Sequence, residues 1–458
     1  LIGSLVLFAF GAFTKEPAIC LPLMIGAYEL FIRTGDAAAK RLKTGLLYSA
    51  PYLLISLVYF AARQTALGFL LSDPSYSKHT YGQSFLTIPL VFWKYIGLLF
   101  WPVDLSLFHA TPVVTSVLSP RFYLPVLGLA GLAVLIAKLW HSIVARFGIL
   151  WFLINLLPVL NLKAFSTEFM VQERYIYTAS LGFSLLIAMA IVRIPLPAGF
   201  TMARRRIAVG AGVAVILLLM TGKTLAQNNV WKDDLSLWVH GAEVAPEQPM
   251  SAFILGHRYL AREQFDLATQ EFERYVALNP RNLIVLSNLA AAHLYAFQSQ
   301  SATNPATADR ARLDRAIALC EKGLALASFG PLWDTLGTCY TFENEFKNLD
   351  RAIACYDRGI REQPENAMLL FHKGAVLMKK GSYDQAIPYL QAARDIQPDL
   401  PDVYKMLGYT QQAKGQFNDA IGNLTRYLQL QPNAFDATQV KEQIETLRAL
   451  TQQPTSQS

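Results

Sequence analysis

Apolar residues follow two different rules along this chain. In the first half they form long uninterrupted runs, at 1–13, 17–32, 45–62, 121–137, 147–162, 178–192 and 207–226. Runs approaching about 20 residues have the length of a bilayer-crossing helix. The last one starts at Arg204, Arg205 and Arg206 and ends near Lys223, whose stem can carry its charge to the boundary. It reads as the final crossing and separates a membrane part, residues 1–226, from a soluble part. The expected fold class is all-α: a polytopic transmembrane helix bundle of about seven helices, then a solenoid of helical hairpins.

In the second half the apolar pattern is periodic. Gly256, Gly374 and Gly408 are each followed 24 residues later by a proline, Pro280, Pro398 and Pro432, while Gly337 precedes Pro364 by 27. Ala268, Ala386 and Ala420 fall 12 residues after their glycines. Small residues let two helices of a hairpin approach, and the proline ends the second helix. The pattern resembles tetratricopeptide repeats, expected at 249–282, 283–330, 331–366, 367–400 and 401–434. Residues 227–248 read as a partial leading repeat, 435–450 as a capping helix, and the tail to 458 as frayed. The stretch 297–309, rich in Ser, Ala, Thr and Asn, reads as a loop inserted in the second repeat.

Charge adds a topology. Residues 1–248 hold 19 Lys/Arg and 11 Asp/Glu, against 21 and 22 in 249–458. The basic excess gathers in three short connectors: Arg33, Lys40, Arg41 and Lys43; Lys138 and Arg146; Arg193 with Arg204, Arg205 and Arg206. All three are expected on the cytoplasmic side, which puts Thr14-Lys15-Glu16, residues 63–120, residues 163–177 and the repeats on the outer side. The protein would then sit in a bacterial inner membrane, or in the endoplasmic reticulum of a eukaryote. The run at 84–102 would invert this parity if it crossed. With Lys94 at its centre, flanking Trp93 and Trp101, and two prolines, it reads as an interfacial segment, with a crossing as the alternative. A basic excess confined to helix ends gives no support to nucleic-acid binding.

The chain opens at Leu1, inside an apolar run, so further membrane helices are expected upstream. Cys20, Cys320, Cys339 and Cys355 lack metal-ligand spacing and read as buried helix residues, with a Cys339–Cys355 pairing as the alternative. No metal site is suggested within this chain.

Two polar clusters reach the outer face: Thr14-Lys15-Glu16-Pro17, and Glu168 with Glu173-Arg174-Tyr175-Ile176-Tyr177. Ionisable groups at membrane depth are costly and point to function. Arg174 suits a phosphate and the tyrosines a sugar or lipid chain; equally, Glu173 and Arg174 would pair and the tyrosines belong to the aromatic belt. These clusters, with NNVWKDDLSLW past the last helix and the repeats after it, resemble the transmembrane-and-TPR O-mannosyltransferases (TMTC family) and their bacterial relatives. The most specific element is ERYIY followed by SLGF.

The resemblance implies a GT-C-type glycosyltransferase moving a sugar, of the mannosyl kind, from a polyprenyl-phosphate carrier to a protein. It implies a catalytic acid, acting as base or metal ligand, in a loop upstream of Leu1; a divalent metal is thus an expectation for the full-length protein only. By position, Lys15, Glu16, Glu173, Arg174 and Tyr175 would line the donor site. Residues 104–109, DLSLFH, follow the family's pattern loosely and receive no role.

Stacked hairpins form a groove lined by first helices, where Phe253, His257, Phe371, His372, Lys405 and Tyr409 are candidates to contact an extended acceptor peptide. A competing reading is a membrane-anchored scaffold for envelope protein interactions. The expected partners are therefore the bilayer, a polyprenyl-phosphate sugar and an acceptor protein.

Overall fold

The computed structural model describes residues 1–69, 79–102, 105–107, 109, 111–165, 170–194, 201–304, 308–342 and 346–452. They are helical with no strand, in two compact units, 1–251 and 252–458.

The first unit contains α1 (Ile2–Thr14), α2 (Leu21–Ala27), α3 (Ala38–Leu67), α4 (Tyr81–Phe100), α5 (Pro120–Leu139), α6 (Ile143–Leu156), α7 (Tyr177–Arg193), α8 (Met202–Val230) and α9 (Asp234–Val244). Among the described residues, six segments are long and apolar enough to cross a membrane: α3, α4, α5, residues 143–160, residues 173–193 and α8. The run at 17–32 is a composite, a 3-10 turn, α2 and a π turn, because Pro17 and Pro22 remove two backbone donors. Its core joins Val91, Phe92 and Tyr95 of α4 to Phe152 and Leu156 of α6 and to Met170, Val171 and Ile176. The closest crossing is between α6 and α7: a Cβ on Gly182 would lie 2.4 Å from the Gly148 carbonyl oxygen.

Long-range bonds define two ends of this unit. At one end, Arg146 Nη1 donates to the Phe31 carbonyl (2.6 Å), Phe31 packs edge-on against Trp140, and Ser142 reaches Met189 Sδ. The first two basic connectors and the end of α7, which carries Arg193, therefore meet at this end. At the other end, Cys20 Sγ contacts the Ile154 carbonyl and Lys163 Nζ donates to the His79 carbonyl (2.6 Å). α4 addresses the segment between α6 and α7 from both of its halves: His79 precedes its start, and Tyr95 OH donates to the Met170 carbonyl (3.3 Å).

The second unit continues with α10 (Pro249–Leu260), α11 (Phe265–Leu278), α12 (Leu283–Thr303), α13 (Arg310–Leu326), α14 (Gly330–Phe342), α15 (Phe346–Glu362), α16 (Ala367–Lys379), α17 (Tyr383–Ile396), α18 (Pro401–Ala413), α19 (Phe417–Leu430) and α20 (Ala437–Gln452). They pair in order as five hairpins and a cap. At Gly374 and Gly408 an added Cβ would fall 2.6 Å from Leu390 Cγ and Leu424 Cγ, so these glycines mark where the helices of a hairpin cross. Consecutive first helices touch, α12 with α14, α14 with α16 and α16 with α18, making theirs the inner face.

The expected loop at 297–309 needs correction. α12 continues to Thr303, because Phe297 is buried against Leu313 and Cys339 and edge-on to Phe342. Residues 305–307 and the tail 453–458 lie outside the described residues. All four cysteines are buried thiols, and no disulfide joins Cys339 to Cys355.

Candidate functional site

Glu173, Arg174 and Tyr175 occupy one 3-10 turn, Glu173–Ile176, which leads into α7. Ile176 is buried in the core and Tyr175 packs against the same cluster, which anchors the turn. The half-buried Glu173 does not pair with its neighbour. Its Oε1 accepts from the Ser106 backbone N–H (2.7 Å) and lies 3.1 Å from His109 Nε2. Among the described residues Oε2 has no hydrogen-bond partner. Two donors on one oxygen stabilise and orient a carboxylate while leaving the second oxygen available as an acceptor.

Arg174 is exposed, its guanidinium over the Tyr175 ring (5.1 Å) and its Nη2 donating to the Tyr175 hydroxyl (3.2 Å). Stacking fixes the planar group without neutralising it, leaving charge for an anion. Tyr175 in turn packs against Phe165. Lys15 follows α1 with an exposed side chain, and among the described residues no bond joins it to Glu173, Arg174 or Tyr175. The Glu16 side chain, Asp104 and Glu168 lie outside the described residues.

Sequence reasoning gave no role to the residues that complete this arrangement. Thr111 Oγ1 donates to the His109 carbonyl (2.8 Å) and accepts from Lys94 Nζ (3.1 Å). Lys94, set inside an apolar run, thus ties α4 to the segment carrying Ser106 and His109. His109, the last residue of DLSLFH, was the available signal, but its partner lies 64 residues away. Among the described residues no group of three or more His, Cys, Asp or Glu is arranged to hold a metal ion.

On the inner face of the repeats, three of the six named residues bridge neighbouring first helices or the cap. His257 meets Asn288 Nδ2 (3.0 Å), His372 Nδ1 lies 2.7 Å from Asp334, and Lys405 Nζ is 3.2 Å from Asp436. Asp436, which also accepts from Tyr427 OH (2.6 Å), is held below the usual carboxylate range by that bond and by Lys405. Phe253, Phe371 and Tyr409 are half-buried and pack against the cores of their hairpins. His257, His372 and Lys405 are thus engaged within the solenoid.

Tetratricopeptide-repeat family models match residues 346–401 and 377–444. Tetratricopeptide repeat protein 13 of Homo sapiens is 29% identical over 90 residues, 19% of this chain and 10% of that protein. BBSome complex member BBS4 of Bos taurus is 23% identical over 211 residues, 40% of each chain. The chain thus spans well under half the length of these relatives. Among solved structures, a thermophilic TPR protein of Thermus thermophilus is 18% identical, covering 44% of this chain and 100% of its own, with a TM-score of 0.36. The first TPR of Spaghetti (RPAP3), solved with an HSP90 peptide, is 22% identical over 26% of this chain and 93% of its own, TM-score 0.25. Within the second unit, residues 346–444 therefore carry tetratricopeptide repeats.

Proposed function

We propose that this protein transfers a sugar from a polyprenyl-phosphate carrier to an acceptor protein at the polar end of its membrane unit, with the repeats recruiting the acceptor. The observation that carries this reading is the state of Glu173 and Arg174. Among the described residues, one is a carboxylate aimed by two donors on a single oxygen, the other a stacked guanidinium with no carboxylate partner, on the same turn. Arg174 binds the carrier phosphate in two-pronged fashion, and Glu173 Oε2 accepts a sugar hydroxyl. The O-mannosyl kind of transfer follows from the family resemblance, and the catalytic acid is not assigned to this chain.

The same proposal places the polar end and the repeats outside the cytoplasm, in a bacterial inner membrane or the endoplasmic reticulum. The convergence of the first two basic connectors with the Arg193 end of α7 at the opposite end supports this orientation. α4 lies along the outer boundary, since both of its halves address one segment; a helix of 20 residues is about 30 Å long and would otherwise carry one of them across the membrane. In a variant free of native cysteines, a cysteine at Ala164 is expected to react with an impermeant thiol reagent in intact cells and one at Ala203 is not. The reverse pattern would overturn the orientation.

The functional test uses the full-length protein in membranes, supplied with labelled polyprenyl-phosphate sugar. Arg174→Lys keeps charge but loses the planar fork, and is expected to lower transfer roughly tenfold or more, as is Glu173→Gln. Unchanged transfer by a folded Arg174→Ala variant would remove the phosphate role. The repeat matches also favour a second reading, a membrane-anchored scaffold without catalysis; it gains if the intact protein transfers nothing from any donor while its repeats still bind envelope proteins.

A further inference from the structure

We infer that Gln227 and His240 are positioning residues for Glu173, so that the helices leading into the repeats set the geometry of the polar end. The inference rests on the sugar-transfer reading for its purpose and on independent geometry for its substance.

Gln227 lies in the last turn of α8 and His240 on α9, with the Asp233 cap between them. Their side chains converge on one atom. Gln227 Nε2 donates to the Leu105 carbonyl oxygen at 3.2 Å, and His240 Nε2 lies 3.0 Å from the same oxygen. The carbonyl of Leu105 and the N–H of Ser106 belong to a single planar peptide group and, in the trans form, point in opposite directions. That N–H donates to Glu173 Oε1 at 2.7 Å. One rigid plane therefore has two side-chain donors on its carbonyl and the site carboxylate on its N–H.

Filling both lone pairs of the carbonyl fixes the plane's rotation, which sets where Glu173 Oε2 points. It also polarises the peptide and strengthens the N–H as a donor. His109, three residues along, bonds the same Oε1 and gains its place from the same segment. Nothing in the sequence between 227 and 240 touches the sugar or phosphate in this scheme; both residues act through Leu105 and Ser106.

The test uses the full-length protein without its native cysteines, purified in detergent, with Leu107→Cys as reporter and N-ethylmaleimide as probe. Removing both donors, Gln227→Ala with His240→Ala, is expected to speed labelling at 107 by about tenfold. His240→Gln alone, which keeps an N–H donor, is expected to stay near the parent rate. If the double variant is not recovered folded, Gln227→Met and His240→Phe are compared singly, each expected to speed labelling by about threefold. Labelling no faster than the parent in these variants would overturn the inference. Sugar transfer is the second readout: where the parent is active, the double variant should lose about tenfold. Faster labelling with an inactive parent would leave the linkage standing and remove the sugar-transfer reading; an active parent whose variants neither label faster nor lose transfer would do the opposite.

Discussion

The two units hold their polar groups in place over very different distances along the chain. In the repeats, the bridging bonds join residues about one repeat apart, from 30 positions at Lys380–Asp350 to 46 at Arg312–Asp266. In the membrane unit the intervals follow no period, running from 17 at Lys94–Thr111 through 64 at Glu173–His109 to 135 at His240–Leu105. A periodic unit repeats one local solution, so each bond is guaranteed by its neighbours. The bundle has no such redundancy, and each of its bonds is made by a particular convergence of segments. Damage should therefore be graded in the repeats and abrupt in the bundle.

The largest effect is expected at the tightest crossing. Gly182→Leu forces a side chain where even a Cβ lies 2.4 Å from the Gly148 carbonyl, a backbone atom that cannot rotate away. Loss of monodisperse protein after detergent extraction is the expected result, and normal recovery would show that α6 and α7 tolerate separation.

A smaller effect is expected at the equivalent feature of the repeats. Gly374→Leu, in residues 252–458 expressed alone, meets the movable end of Leu390, and should lower stability by about 1 to 3 kcal/mol or somewhat more. A circular dichroism melt reads the change. An unaltered melting temperature would erase the contrast between rigid and forgiving crossings, and failure of the isolated unit to fold would deny the repeats their independence.

The smallest effect sharpens the comparison within the repeats. His293 is buried on α12, with Glu273 at 4.0 Å and Nδ1 without a partner; burial, then Arg315 and Arg312, press its pKa down to about 4. Asp266 and Asp309 act against the fall. Its folded pKa lies below the unfolded value, so this stability is present above about pH 6.5 and is lost as pH falls towards about 4. Compared with His293→Leu, the wild-type unit should lose on the order of 1 to 3 kcal/mol more over that window in urea unfolding. Parallel pH profiles would show that the imidazole is hydrated or paired.

The sequence by itself determined what depends on composition and interval. Gly374 and Gly408 with their prolines placed the hairpins, because a backbone close approach demands a missing side chain at a fixed spacing. Long uncharged runs placed most of the helices of the bundle. Local pattern failed where burial intervened: the polar stretch after Phe297 stays helical through Thr303 because that phenylalanine has a core to enter. Adjacency likewise suggested an ion pair of Glu173 with Arg174. Only the tertiary structure decided that Glu173 turns instead to Ser106 and His109, that Lys94 ties α4 to Thr111, and that Gln227 and His240 meet at the Leu105 carbonyl. The physical reason is that a hydrogen bond is won by whichever donor arrives with the right direction, and direction at such distances along the chain is set by how helices cross.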